Sequence, residues 1–139
     1  MPISCHMNKL IDPVHYQAAV RRTLSYLYTR RHDFDAIAFR GLSGSLIAPV
    51  VAYQLQKKMM AVRKENSPHT SYKIEAASNP SERVLILDDF ISSGATIREI
   101  ISVVKSECPA CKIVGIHLWR ANYSSSTQYE GFDIWVPTY

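Results

Sequence analysis

Glycine is scarce in this chain, with 5 residues in 139, and cysteine is scarcer still, with 3. No glycine-rich stretch ends in Gly-Lys-Ser/Thr and no G-x-G-x-x-G occurs, which removes two common phosphate- and dinucleotide-binding loops. A chain this long buries roughly two-thirds of its unfolded surface, so it needs neither disulfides nor a structural metal to hold a core. Cys108 and Cys111 form a C-x-x-C, but zinc would want two further ligands at comparable spacing. Only the distant Cys5 and scattered histidines are on offer. With Pro109 inside it, the pair reads as the end of a helix, ahead of a metal or redox role. Long hydrophobic runs are also missing. The longest nearly uncharged stretch, Gly41 to Gln56, is short of a bilayer span and broken by Ser43, Ser45, Pro49 and Gln54, so no transmembrane helix is expected. Met1 to Leu10 lacks the basic-then-apolar layout of a signal peptide, and a cytoplasmic location is expected.

What is present is ordinary for a globular protein. The chain is 47% apolar and 20% charged, which excludes disordered and collagen-like classes, and its length fits one domain over 1–139. The formal net charge is +4, from 16 Lys plus Arg against 12 Asp plus Glu, and suits an anionic partner. Arg21/Arg22 and Arg30/Arg31 are nine positions apart on one predicted helix. At roughly 100° per residue they turn to opposite faces and make no basic stripe. That speaks for a phosphorylated small molecule and against a nucleic-acid partner.

Along the chain, Asp12-Pro13 signals a helix start, and Val20, Leu24, Leu27 and Tyr28 carry the helix to about Arg31. Phe34 to Phe39 reads as a strand, Ser45 to Lys58 as a helix, and Met59 to Arg63 as a short strand. Asn66 to Ser71 is a polar loop. Val84 to Leu87 is an unbroken aliphatic run, the pattern of a strand buried on both faces. Ile97, Ile100, Ile101 and Val104 mark an amphipathic helix ending before Pro109, and Lys112 to Leu118 a further strand. This alternation predicts an α/β fold, a mostly parallel central sheet flanked by helices. After Trp119 the pattern turns irregular and aromatic, with Tyr123, Tyr129, Phe132, Trp135 and Tyr139.

The chemistry concentrates after the aliphatic run, where Asp88-Asp89 is followed by Phe90-Ile91-Ser92-Ser93-Gly94-Ala95-Thr96. In parallel sheets ligands bind beyond the carboxyl ends of the strands. Successive backbone N–H groups at a helix start, with the hydroxyls of Ser92, Ser93 and Thr96 and the close approach that Gly94 permits, suit a phosphate. Two acids beside a phosphate would repel it, so Asp88 and Asp89 are expected to face sugar hydroxyls or a metal.

The segment Val84 to Thr96 resembles the signature of type I phosphoribosyltransferases, which bind 5-phosphoribosyl-1-diphosphate (PRPP), and the resemblance runs over roughly residues 34 to 118. Phe39-Arg40-Gly41-Leu42-Ser43-Gly44 resembles that family's pyrophosphate loop. Val62-Arg63-Lys64, then Ser71-Tyr72-Lys73-Ile74-Glu75, is similar to the mobile lid of the adenine enzymes, with a shortened middle. Ile97-Arg98-Glu99 is more like the orotate enzymes. Hypoxanthine-guanine members carry an acid where this chain has Ser92, which argues against a 6-oxopurine.

The resemblance implies transfer of the 5-phosphoribosyl group from PRPP to a nucleobase, with pyrophosphate as the second product. It assigns the 5-phosphate to Ser92, Ser93, Gly94, Ala95 and Thr96, and the ribose hydroxyls to Asp88 and Asp89. The pyrophosphate falls to the backbone near Arg40, Gly41, Leu42 and Ser43 and to cationic Arg63 and Lys64. Tyr72, in the lid, either covers the reaction from water or simply packs. Mg2+ is the implied cofactor, held mostly through PRPP and water, with no protein ligand fixed and Asp88 and Asp89 as the candidates. A cis peptide at or next to Phe39–Arg40 and a homodimer are further implications. The domain would have its core over about 12–118 and a hood over 119–139, whose aromatics suit base stacking, a satellite core or a dimer contact alike. The competing expectation is a non-catalytic PRPP-binding regulator of the same fold. His117 is expected to be a core or strand-end residue and His69 a solvated loop residue.

Overall fold

Asp12 opens the first helix as its N-cap, its carboxylate accepting from the N–H groups of Val14 and His15 at 3.0 and 3.4 Å. The computed structural model describes residues 12–64, 72–76, 82–89, 95–120 and 127–136. Among them the chain runs α1 (Pro13–Thr29), β1 (Ala36–Phe39), α2 (Gly41–Leu55), β2 (Lys58–Val62), β3 (Ile74–Ala76) and β4 (Arg83–Asp88). It continues through α3 (Ala95–Glu107), β5 (Lys112–Leu118), β6 (Gln128–Tyr129) and β7 (Phe132–Trp135). No described helix is long and apolar enough to cross a membrane.

The strands form one sheet in the order β3-β2-β1-β4-β5-β7-β6. The central pairings, β1 with β2 and β4, β4 with β5, and β5 with β7, are parallel, while β3 and β6 are antiparallel additions at the edges. Alternate residues of the inner strands feed two cores. Ile37, Phe39, Leu85 and Leu87 pack with α1 and α2 on one face. Ala36, Ala38, Val84 and Ile86 pack with the Ile97, Ile100, Ile101 and Val104 stripe of α3 on the other. Burial on both faces explains the unbroken aliphatic run in β4. Each fully buried Leu or Ile there contributes roughly 1.5–3 kcal/mol. At the opposite edge of the strands, Asp35 takes a fork of bonds from Arg83, at 3.1 Å to Nε and 3.0 Å to Nη2, and aligns the starts of β1 and β4.

The second helix differs from its expected span. It begins at Gly41, not Ser45, and ends at Leu55 rather than Lys58. Arg40 is still extended (φ −153°, ψ 140°), and Gly41, at φ +78°, turns the backbone directly into the helix. The Ser45 hydroxyl then donates back to the Gly41 carbonyl at 2.6 Å. Pro49 therefore sits inside α2, and the segment resembling a pyrophosphate loop is a strand end followed by a helical first turn. All described peptide bonds are trans, Phe39–Arg40 included, contrary to the expected cis bond.

Three strands escaped the sequence reading. β3 pairs with β2 at Met60↔Ala76 and Val62↔Ile74. β6 and β7 form a hairpin whose two turn residues, Glu130 and Gly131, both have positive φ, at 53° and 82°. β7 joins the sheet at Ile116↔Ile134 and His117↔Trp135. The Trp135 indole covers Gly115, where a Cβ would lie 2.2 Å from Nε1. Arg30 stacks on that ring at 3.8 Å and Phe34 meets it edge-on at 5.8 Å.

Candidate active site

β1 leaves the sheet through α2 on one face and β4 leaves towards α3 on the other. The carboxyl ends of these neighbouring strands therefore flank a topological switch point, the natural crevice of such a sheet. Arg40 ends one strand and Asp88-Asp89 the other.

Both acids are buried, Asp88 3% and Asp89 8% exposed. Their backbone is fixed by β5, since Trp119 N–H donates to the Asp88 carbonyl at 2.9 Å and Arg120 N–H to that of Asp89 at 3.0 Å. Burial, helped by the neighbouring Asp89 charge, pushes the Asp88 carboxyl up to about 6, while the Asp89 N–H and the Ser43 hydroxyl pull it down. The Ser43 bond, 3.1 Å to Asp88 Oδ1, joins α2 to β4. Gly44 allows it, because a Cβ there would stand 3.1 Å from Phe39 Cβ and 3.5 Å from the Leu87 carbonyl. The bare backbone lets the first turn of α2 settle onto both strand ends.

The cationic side gathers around Gly41. Arg40 Nη2 donates to the Lys64 carbonyl at 2.9 Å. The Lys64 side chain lies across Gly41, where a Cβ would be 3.0 Å from Cε and 3.5 Å from Nζ. Arg63 pairs with Glu75 on β3, and its N–H donates to the Lys73 carbonyl at 2.8 Å. The Nε atoms of Arg40 and Arg63 are buried and have no hydrogen-bond partner. Guanidinium donors in that state suit an anionic acceptor.

The structure thus brings together Arg40, Gly41, Ser43, Lys64 and Asp88, with Asp89 adjoining and Arg63 beside Lys64. Leu42 is exposed on the first turn of α2, and Tyr72 is exposed before β3. Ala95 and Thr96 open α3. Ser92, Ser93 and Gly94 lie outside the described residues, as do lid residues 65–71 with His69. Sequence reasoning gave no role to Glu75, which holds Arg63, because β3 is too short to show an alternation. Arg98, part of the orotate-like segment, donates to the Tyr129 hydroxyl at 3.0 Å and ties α3 to the hairpin. His117 is the core residue expected. Its Nδ1 lies 2.8 Å from the Trp135 carbonyl, it stacks on Tyr26 at 5.0 Å, and burial draws its pKa down to about 4.

The residues fit a divalent cation in kind. Asp88 and Asp89 supply hard oxygen donors, and the raised Asp88 carboxyl is a proton site that a cation would displace. Among the described residues no cluster of three or more His, Cys, Asp or Glu side chains forms a cage. Asp88 and Asp89 could therefore supply only part of a coordination shell.

No protein-family model matches the chain. A protein of Mycoplasma capricolum named adenine phosphoribosyltransferase is 30% identical over 93 residues, 56% of this chain and 55% of the relative. The chain thus spans about half the length of that curated relative. Among solved structures, an adenine phosphoribosyltransferase from Thermoanaerobacter pseudethanolicus superposes with TM-score 0.64 at 21% identity, covering 90% of this chain and 80% of that one. An orotate phosphoribosyltransferase from Aeropyrum pernix gives TM-score 0.64 at 22% identity, covering 81% of this chain and 63% of that one. The chain thus shares the fold of these phosphoribosyltransferase structures, and the curated relatives it matches in sequence are named adenine phosphoribosyltransferase.

Proposed function

We propose that the chain is a PRPP-dependent phosphoribosyltransferase, forming a nucleotide and pyrophosphate from PRPP and a nucleobase. The observation that carries this reading is the Ser43–Asp88 bond at 3.1 Å, which sets a buried acid pair against a cationic strand end at one switch point. The relatives named adenine phosphoribosyltransferase make adenine the first base to test. As the matched neighbours are named as transferases, they favour the enzyme over the non-catalytic regulator.

In this reading Asp88 and Asp89 hold the ribose 2- and 3-hydroxyls. Arg40, the backbone of Gly41 and Leu42, Ser43, Arg63 and Lys64 take the pyrophosphate. Ser92, Ser93, Gly94, Ala95 and Thr96 take the 5-phosphate, and Tyr72 shields the centre from water. Breaking the bond at the anomeric carbon leaves a cationic sugar and a more negative pyrophosphate. The carboxylates stabilise the first, while the guanidinium and ammonium groups stabilise the second, so catalysis is positioning plus electrostatics, with no protein nucleophile. Mg2+, bound with PRPP and reached by Asp88 and Asp89, would neutralise charge on the pyrophosphate oxygens. A panel of adenine, orotate, hypoxanthine and guanine with PRPP and magnesium, followed by pyrophosphate release, tests the reading. Release with one base class supports it, and no release with any base refutes it.

A further inference from the structure

The C-x-x-C pair is not part of the site above. Cys108-Pro109-Ala110-Cys111 forms the turn between α3 and β5, closed by the Cys111 N–H donating to the Cys108 carbonyl at 2.9 Å. Such a turn holds its first and last Cα atoms within about 7 Å, inside the span a disulfide bridges. The Cys108 thiol has that of Cys111 as a neighbour, which helps to raise it. Both cysteines are reduced and half-buried against the α3 core, while Pro109 and Ala110 between them are exposed. A small oxidant can reach the pair without unfolding the helix.

We infer that Cys108 and Cys111 are a dithiol site that oxidises to an intrachain disulfide stapling the end of α3 to the start of β5. With glutathione disulfide as the oxidant, a thiolate of the pair attacks one glutathione sulfur and expels the first glutathione thiolate. The second cysteine attacks the mixed disulfide and expels the other. Two protein thiols lose two protons and two electrons, and one glutathione disulfide becomes two glutathiones. The burial and the thiol neighbour that raise Cys108, together with its place at a helix C-terminus, keep the thiolate fraction low near neutrality. Oxidation is therefore slow at pH 7 and speeds up as pH rises. This inference does not depend on the PRPP reading.

The test equilibrates the full chain, with a chelator present, in excess glutathione disulfide at pH 8, then blocks remaining thiols with iodoacetamide. Trypsin cuts after Lys105 and Lys112, which puts both cysteines in one peptide, Ser106–Lys112. The expected product is that peptide lighter by two hydrogen atoms and unalkylated, in the parent chain and in Cys5→Ser alike. Its yield falls to nothing in Cys108→Ser and in Cys111→Ser. Recovery of the peptide doubly alkylated, stalled as a glutathione adduct, or cross-linked to Cys5 would overturn the inference.

Discussion

The Ser43 hydroxyl donates to Asp88 Oδ1 at 3.1 Å, a contact between residues 45 positions apart that joins the first turn of α2 to the end of β4. It holds in place a carboxyl that burial and the Asp89 charge both oppose ionising. The fold places that group at a cost, which is the usual signature of a residue kept for binding or catalysis.

Stability of the ligand-free chain should carry that cost. The Asp88 carboxyl titrates near 6 when folded, against 3.8 ordinarily, so between these values the folded chain keeps a proton that the unfolded chain has lost. The resulting stabilisation is full at the acid end and is lost as pH rises through about 6. Urea unfolding across this window should show the decline, and Asp88→Asn should remove it and be the more stable protein near neutrality. A pH profile that Asp88→Asn leaves unchanged would count against this placement of the charge.

Ser43→Ala takes away a bond that favours the ionised acid. In an active enzyme the ascending limb of kcat/KM against pH should move upward, and the plateau should fall with the lost pyrophosphate contact. A limb that stays put would mean that Asp88 ionisation does not govern the rate.

Gly41→Ala should impair both fold and site. At φ +78° a Cβ costs about 1–2 kcal/mol, and it would also press on Lys64 Cε at 3.0 Å. The expected outcome is a lower melting temperature and PRPP affinity weakened about tenfold, read by calorimetry. Unchanged affinity would remove Gly41 from the site.

At Gly115 the neighbour is the Trp135 indole, 2.2 Å from where a Cβ would stand. Gly115→Ala should destabilise the chain by about 1–3 kcal/mol and shift tryptophan fluorescence as β7 lifts. A fluorescence spectrum and melting curve matching the parent would show that β7 is not docked there.

The parts of the fold legible in the sequence are those where one force dominates. Val84–Leu87 is aliphatic because both faces of β4 are covered, and Lys112–Leu118 is recovered to the residue as β5. The acid pair was legible because carboxylates are conspicuous after such a run. The start of α2 was hidden because Gly41 and Gly44 read as loop residues, although one turns the chain and the other admits close packing. β3 and the β6–β7 hairpin span 3, 2 and 4 residues, too short for periodicity, and they are set by pairing with β2, with each other and with β5. Glu130-Gly131 between aromatics is a local turn signal for that hairpin.

The charge of the acid pair tests the account most directly, through Asp89→Asn, which keeps the shape and removes the charge. The measurement is pyrophosphate release with the preferred base at saturating PRPP and magnesium, set beside the PRPP dissociation constant of the same proteins. If the acids stabilise charge that develops only as the glycosidic bond breaks, turnover should fall about a hundredfold while PRPP binding weakens less. Tight PRPP binding by the parent chain with no pyrophosphate from any base would contradict the account.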